Sequence, residues 1–277
     1  MELIDGEIRC ETEAMSKCWA APLQNCAGKI SREHVISRGT FADDELLVQG
    51  FDWCRDAPAK ISLSGLTRKI LCVKHNSDLS TADDAGIRAV EEFRELVRLG
   101  MARSNAKPRQ WRLVRSTIDG FELERWFLKT LINVAFRREY PIGKPIQPEW
   151  RPSRELVEIA FGLRRFQPRA GLYLIGGETG DNVNPSEKLQ ILTFTDSDQK
   201  LLGARFLFFG FTFLIYLEVA GPKRYVQFLN ADGRATPGRN LIYHPRAINF
   251  TLPKSRRQKP NDQRLSHVLL IGWGGKK

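Results

Sequence analysis

Two short tracts hold most of the side chains able to do chemistry. One runs from Cys18 through Cys26 to Ile30-Ser31-Arg32-Glu33-His34-Val35-Ile36-Ser37. The other reads Leu71-Cys72-Val73-Lys74-His75-Asn76-Ser77-Asp78 and continues through Leu79-Ser80-Thr81-Ala82-Asp83-Asp84. Cys72 and His75 are two residues apart, a spacing that lets a thiolate and an imidazole face one metal ion across a tight turn. With Cys18 and Cys26 they make a Cys3His set, the soft donor set of a closed tetrahedral Zn2+ site. The seven residues between Cys18 and Cys26 exceed a Cys-x-x-Cys knuckle, and Cys10 is the substitute candidate for Cys18. Cys54 has no partner at ligand spacing and reads as a packing residue. His34 is the candidate general base, because imidazole is the side chain whose ordinary pKa suits deprotonation of water near neutral pH.

Taken together, these residues resemble the HNH endonucleases, the ββα-metal nucleases, and in particular their zinc-stapled members. In that family a Cys pair precedes a Glu/Asp-His segment. A second pair, Cys-x-x-Cys or Cys-x-x-His, stands directly before an Asn, and an acidic or amide residue follows one to two helical turns later. The resemblance covers residues 15–90. It implies a hairpin and helix with His34 closing the first strand, and Asn76 as the amide that pins the loop carrying the base. It also implies that Glu33 and Asp83 are the oxygen ligands of a catalytic Mg2+ or Mn2+ ion. Such an ion would offset charge on the pentavalent phosphate and stabilise the leaving 3′ oxygen. Asp84 is the alternative to Asp83. A second assignment makes His75 a ligand of the catalytic ion, at the expense of the Cys72 partner. Arg32, Arg38 and Lys74 flank the motif as candidate phosphate contacts. Ser37 stands where the family often has Pro.

These residues need elements to position them. Ile87, Val90, Phe93, Leu96, Val97 and Met101 recur at helical spacing and predict a helix from about Thr81 to Ala102. Ser104 to Pro108 reads as a linker. A strand from Trp111 should end at Asp119-Gly120, followed by a helix over Phe121–Arg137 with Leu123, Trp126, Phe127, Thr130, Leu131 and Val134 on its apolar face. Ser153 is a plausible cap for a short helix reaching Arg165. Beyond Pro168 the chain is β-rich, with strands expected at 171–175, 189–195, 204–220, 224–229, 247–252 and 266–273. Within the long one, Gly210 is expected as a bulge or close-approach point. The fold class is therefore α+β. A zinc-stapled ββα domain over residues 1–105 precedes connecting helices and a β-rich domain over 106–277.

Composition narrows the partners. The chain has 277 residues, 42% of them hydrophobic, which is enough to bury a sizeable core. Five cysteines, an odd number, do not make a disulfide framework. The start lacks a basic-then-apolar leader, and the longest uncharged apolar stretch, Phe206 to Leu217, is too short to span a bilayer. A cytoplasmic protein without membrane association is the expectation. The net charge of +11 is uneven: residues 101–170 and 221–277 are basic, while 1–100 and 171–220 are mildly acidic. Two basic blocks suit a polyanion such as DNA, with RNA as the alternative, because each neutralised phosphate releases a counterion. Lys254, Arg256, Arg257 and Lys259 form the densest basic cluster. The expected function is metal-dependent hydrolysis of nucleic-acid phosphodiesters. Its rivals are a zinc-stabilised binding module without catalysis and a β-domain sensor of ligand or protein, which could also assemble as a homo-oligomer.

Overall fold

The computed structural model describes residues 17–40, 45–49, 57, 59–62, 65–104, 113–136, 150–175, 189–196, 198, 200–219, 221–222, 241–251 and 265–274. Strand β1 (Ile30–His34) pairs antiparallel with β4 (Thr67–Cys72). Ile30 faces Cys72 at one end of this hairpin and His34 faces Thr67 at the other. A short helix α1 (Val73–Asp78) follows β4 directly, and a long helix α2 (Ser80–Ser104) follows α1. The two paired strands lead into a helix, although two further strands lie between them in the chain. The expected helix at 81–102 lies within α2.

Between β1 and β4 the chain makes a second hairpin, β2 (Glu45–Gln49) and β3 (Ala59–Ser62). This hairpin extends the large sheet of the C-terminal half, where β2 runs parallel to β7 (Leu189–Thr195). The remaining strands of that sheet are β6 (Gly171–Ile175), β8 (Leu201–Phe208), β9 (Phe211–Tyr216) and β10 (Leu241–Tyr243). Its seven strands run in the order β10-β6-β9-β8-β7-β2-β3. A three-stranded sheet holds β5 (Val114–Asp119) beside β12 (Leu265–Gly272), which pairs in turn with β11 (Ala247–Thr251). The expected division at residue 105 therefore falls between elements that share one sheet and one core. Val35, Ile36 and Leu66 pack in the same apolar cluster as Phe93, Phe127, Leu172, Phe206 and Phe213.

The expected strand over 204–220 is instead a hairpin. Phe209 and Gly210 both have positive φ, 49° and 82°, and make a two-residue turn between β8 and β9. That backbone suits the twist of a tight hairpin, and Gly210 adopts it without strain. Phe209 is fully buried and stacks on Phe93 at 6.3 Å, so packing holds a bulky residue in a conformation it rarely takes. The expected strand at 224–229 lies outside the described residues.

Helix α3 (Gly120–Ala135) organises the interior. Asp119 caps it by accepting from the amides of Phe121 and Glu122 at 2.9 and 3.1 Å. Trp126, Phe127 and Leu131 join the large core, whereas Leu128 and Ile132 join a second cluster with Cys18, Trp19, Leu71 and Cys72. Helix α2 crosses α3 at Gly86, where a Cβ would lie 2.3 Å from the Trp126 ring, so only glycine permits this approach. The short helix α4 (Arg154–Ala160) begins at Ser153, which accepts from the Leu156 amide as expected. It stops at Gly162 (φ 72°), short of Arg165.

Candidate functional site

The first polar cluster sits where β4 becomes α1. Cys72 ends the strand in extended conformation and stands at the N-cap of α1, and His75 follows within the first turn. The two side chains therefore leave the chain on the same side. Opposite them, the Cys18–Cys26 loop folds back through a 3-10 turn at Ala21–Leu23, closed by Gln24 with φ 58°. Backbone bonds fasten this loop: Trp19 N–H donates to Ile70 at 3.0 Å, Val73 to Lys29 at 3.0 Å and Lys74 to Ala27 at 3.3 Å. The seven-residue gap is the length of this return.

The result is a tight Cys3His group, with all four ligand atoms within 4.8 Å of one another. His75 Nδ1 lies 3.3 Å from Cys18 Sγ, 3.3 Å from Cys72 Sγ and 3.7 Å from Cys26 Sγ. With Zn–S of about 2.3 Å and Zn–N of about 2.0–2.1 Å, a tetrahedron has N···S edges of roughly 3.5 Å. The group fits such an ion, and the cluster could hold a metal such as zinc. Its surroundings agree. His75 Nε2–H donates to Asn25 Oδ1 at 2.6 Å, which leaves the Nδ1 lone pair facing the sulfurs. The Cys72 amide donates to Cys18 Sγ at 3.5 Å. Burial, with added repulsion from the neighbouring sulfurs, pushes the Cys18 thiol far above its usual range, and burial raises Cys26 as well. Only a bound cation would make thiolates favourable there. Cys18 thus takes the place for which Cys10 was the alternative, and Cys10 and Cys54 lie outside the described residues. His75 belongs to this group, with Cys72 as its partner, and not to the carboxylates.

The second cluster lies at the other end of the hairpin, roughly 13 Å along β1 at about 3.4 Å per residue. Glu33 and Asp83 do converge there, but around an ammonium. Lys129, from the middle of α3, places Nζ 2.6 Å from Glu33 Oε1 and 2.5 and 2.7 Å from the two Asp83 oxygens. The Lys129 side chain is 2% exposed and that of Glu33 5%. Ser37 Oγ–H donates to Asp83 at 2.5 Å, and Trp126 Nε1–H donates to Ser37 at 3.0 Å. Asp84 is exposed on the outer side of α2. Burial holds Glu33 above the ordinary carboxylate range, with Lys129 pulling the other way. With the ammonium between the carboxylates, these residues as placed do not fit the expected Mg2+ or Mn2+ ion.

His34 is partly exposed beside this cluster. Burial lowers its pKa first, and the positive charges of Arg38 and Lys129 lower it further. Its ring is therefore neutral near pH 7, the form a general base requires. The side-chain amide on the His34 backbone is that of Asn133. Asn76 Nδ2 donates to Ser31 Oγ at 3.2 Å, at the start of β1. Asn133 Nδ2, from α3, donates to the carbonyl of His34 at 3.3 Å, and its Oδ1 accepts from Trp19 Nε1 at 3.0 Å. Arg32 and Arg38, on either side of His34 in sequence, are exposed, while Lys74 is paired with Asp78 at 2.6 Å on the helix that carries His75. Lys254, Arg256, Arg257 and Lys259 lie outside the described residues.

Trp126 is expected from sequence only as an apolar-face residue, and Lys129 and Asn133 carry no motif; the three sit three and four positions apart and so share one face of α3. The available signal was Lys129 itself, the only charge in the run Trp126 to Phe136. No protein-family model, curated protein or solved structure matches this chain.

Proposed function

We propose that the chain hydrolyses nucleic-acid phosphodiester bonds, DNA in the first instance, with His34 as general base on a zinc-stapled ββα unit. The observation that carries this reading is the position of His34. It ends the first strand of a hairpin that runs straight into a helix, it is partly open to solvent, and burial, with the cationic neighbours Arg38 and Lys129, lowers its pKa. In the proposed step His34 takes a proton from water as the water oxygen attacks phosphorus. The bond to the leaving 3′ oxygen breaks in line, and that oxygen gains a proton from solvent. Arg38 and Arg32, exposed on the same stretch, would meet phosphate oxygens. Cys18, Cys26, Cys72 and His75 would hold a Zn2+ ion that would supply a structural cross-link at the hairpin–helix junction.

A second reading, a zinc-stabilised module that binds nucleic acid without cutting it, is favoured by one observation. Lys129 satisfies both carboxylates, so the cluster is electrostatically complete as it stands. Incubation of the zinc-loaded chain with plasmid and with labelled single- and double-stranded oligonucleotides separates the two. The nuclease reading expects cleavage that His34→Ala removes without altering binding. Tight, salt-dependent binding with no cleavage under any condition would establish the module instead. The β-rich half, on either reading, supplies helix α3 and the sheet that hold the unit in place. Its basic segments add the charge expected of a nucleic-acid partner.

A further inference from the structure

We propose that Lys129 is the permanent cation of the Glu33–Asp83 pair, standing where a divalent metal would otherwise sit, so that this site has no divalent-ion requirement. The purpose of the cation rests on the nuclease reading. Its occupancy does not.

Three observations carry the inference. The first is stoichiometric: an ammonium has three N–H donors, and Nζ has three carboxylate oxygens at 2.5–2.7 Å, one from Glu33 and two from Asp83. The second is where the lysine comes from. Lys129 is 1% exposed and lies between Leu128 and Thr130 on a helix whose neighbouring residues are also buried. It is no surface lysine folded inward. A metal entering between the carboxylates would leave that ammonium buried and unpaired beside a dication, which is strongly unfavourable. The third is that the surrounding donors are arranged for the lysine-bound state. Ser37 donates to Asp83 and is itself held by Trp126, so Asp83 Oδ1 already receives two hydrogen bonds. Mg2+ and Mn2+ want near-octahedral oxygen ligands and several retained waters, and this packing leaves no such arrangement. Lys129 is then a positioning residue. It fixes Glu33, the neighbour of the base in sequence, and Asp83, and it brings a fixed positive charge to the side of the site from which His34 works.

The test uses the full, zinc-loaded chain titrated with Mn2+, read by the electron-paramagnetic signal of free Mn2+ and by thermal melting. Wild type should bind no stoichiometric Mn2+ and show no shift in melting temperature. Lys129→Met should open the pair, gain one Mn2+ per chain and melt higher when Mn2+ is added. That gain should vanish when Glu33→Gln and Asp83→Asn are combined with it. A wild-type chain that binds one Mn2+, lost in Glu33→Gln, overturns the proposal. So does a folded Lys129→Met that gains none. If Lys129→Met fails to fold, the wild-type titration decides alone. None of these readouts is cleavage, so an inactive wild type that ignores Mn2+ would sink the nuclease reading and leave this one standing.

Discussion

The two ends of the β1–β4 hairpin are held by different physics. At the Cys72 end, four soft donors gather from residues 18–75, all within the segment that forms the hairpin and its first helix. At the His34 end, Glu33 of that segment and Asp83 of α2 are closed by a lysine that lies 46 residues beyond Asp83. The staple is local and can be drawn together by one ion. The carboxylate cluster exists only once α3 has docked. Trp126, Lys129 and Asn133 reach Ser37, Glu33, Asp83 and the His34 carbonyl from one helical face. His34 is thus positioned by helix α3, and the Cys3His group by residues 18–75 alone. The hairpin separated from α3 would keep its four metal-donor side chains and lose the contacts that set His34.

Variants at the two ends should separate these roles, and the largest effect belongs to the staple. Cys72→Ser removes a buried donor from a site whose metal-binding free energy is folding free energy, worth about 10–16 kcal/mol in isolated zinc modules. Zinc content should fall and the melting temperature should drop more than in any other variant here. An unchanged melt would show that the four donors do not hold a structural ion. Next comes Lys129→Ala, which leaves Glu33 and Asp83 without their counter-charge. Breaking a buried ion pair from one side costs about 3–5 kcal/mol. Chemical denaturation should report that loss with zinc content intact. A cost below about 1 kcal/mol would mean that the pair is solvated and the closure loose. A smaller loss is expected for Asn133→Ala, about 1–3 kcal/mol for stranding the buried Trp19 N–H and freeing a carbonyl. Its distinguishing mark is a fall in cleavage larger than that of Asn76→Ala, because Asn133 holds the His34 backbone and Asn76 holds the start of the strand. The reverse order would return the pinning role to Asn76.

The ease of reading this chain varied with the range of the interactions. The staple was legible because Cys72 and His75 carry their geometry in their spacing, and the helix at 80–104 because its apolar positions repeat. The Ser153 cap was visible for the same local reason. What was not legible depends on distance in sequence. Glu33 and Asp83 meet, but on Lys129 rather than on the expected metal, and a carboxylate pair looks the same from sequence whether a metal or an ammonium lies between them. The deciding residue stands in a helix with no motif. Phe209-Gly210 lacked the usual Asn-Gly turn signature, so an unbroken apolar run read as one strand. Likewise, alternation cannot reveal that the β2–β3 hairpin leaves the first unit to join the sheet of the second.

The account has a pH signature that follows from His34. Its pKa lies below the usual imidazole value of 6.5. The neutral, base-competent ring therefore persists to lower pH than for a free histidine, and the acid limb of the cleavage profile should fall below 6.5. In Lys129→Met, where one cationic neighbour is removed, that limb should move upward.

The most direct test of the central claim is the single-turnover cleavage rate of zinc-loaded wild type against His34→Ala on the same labelled duplex. Zinc content and melting temperature are measured on both preparations. The account predicts a rate about 100-fold or more slower in the variant, the usual contribution of a general base, with zinc content and melting unchanged. Equal rates in the two proteins, or loss of zinc and unfolding in His34→Ala, would contradict it.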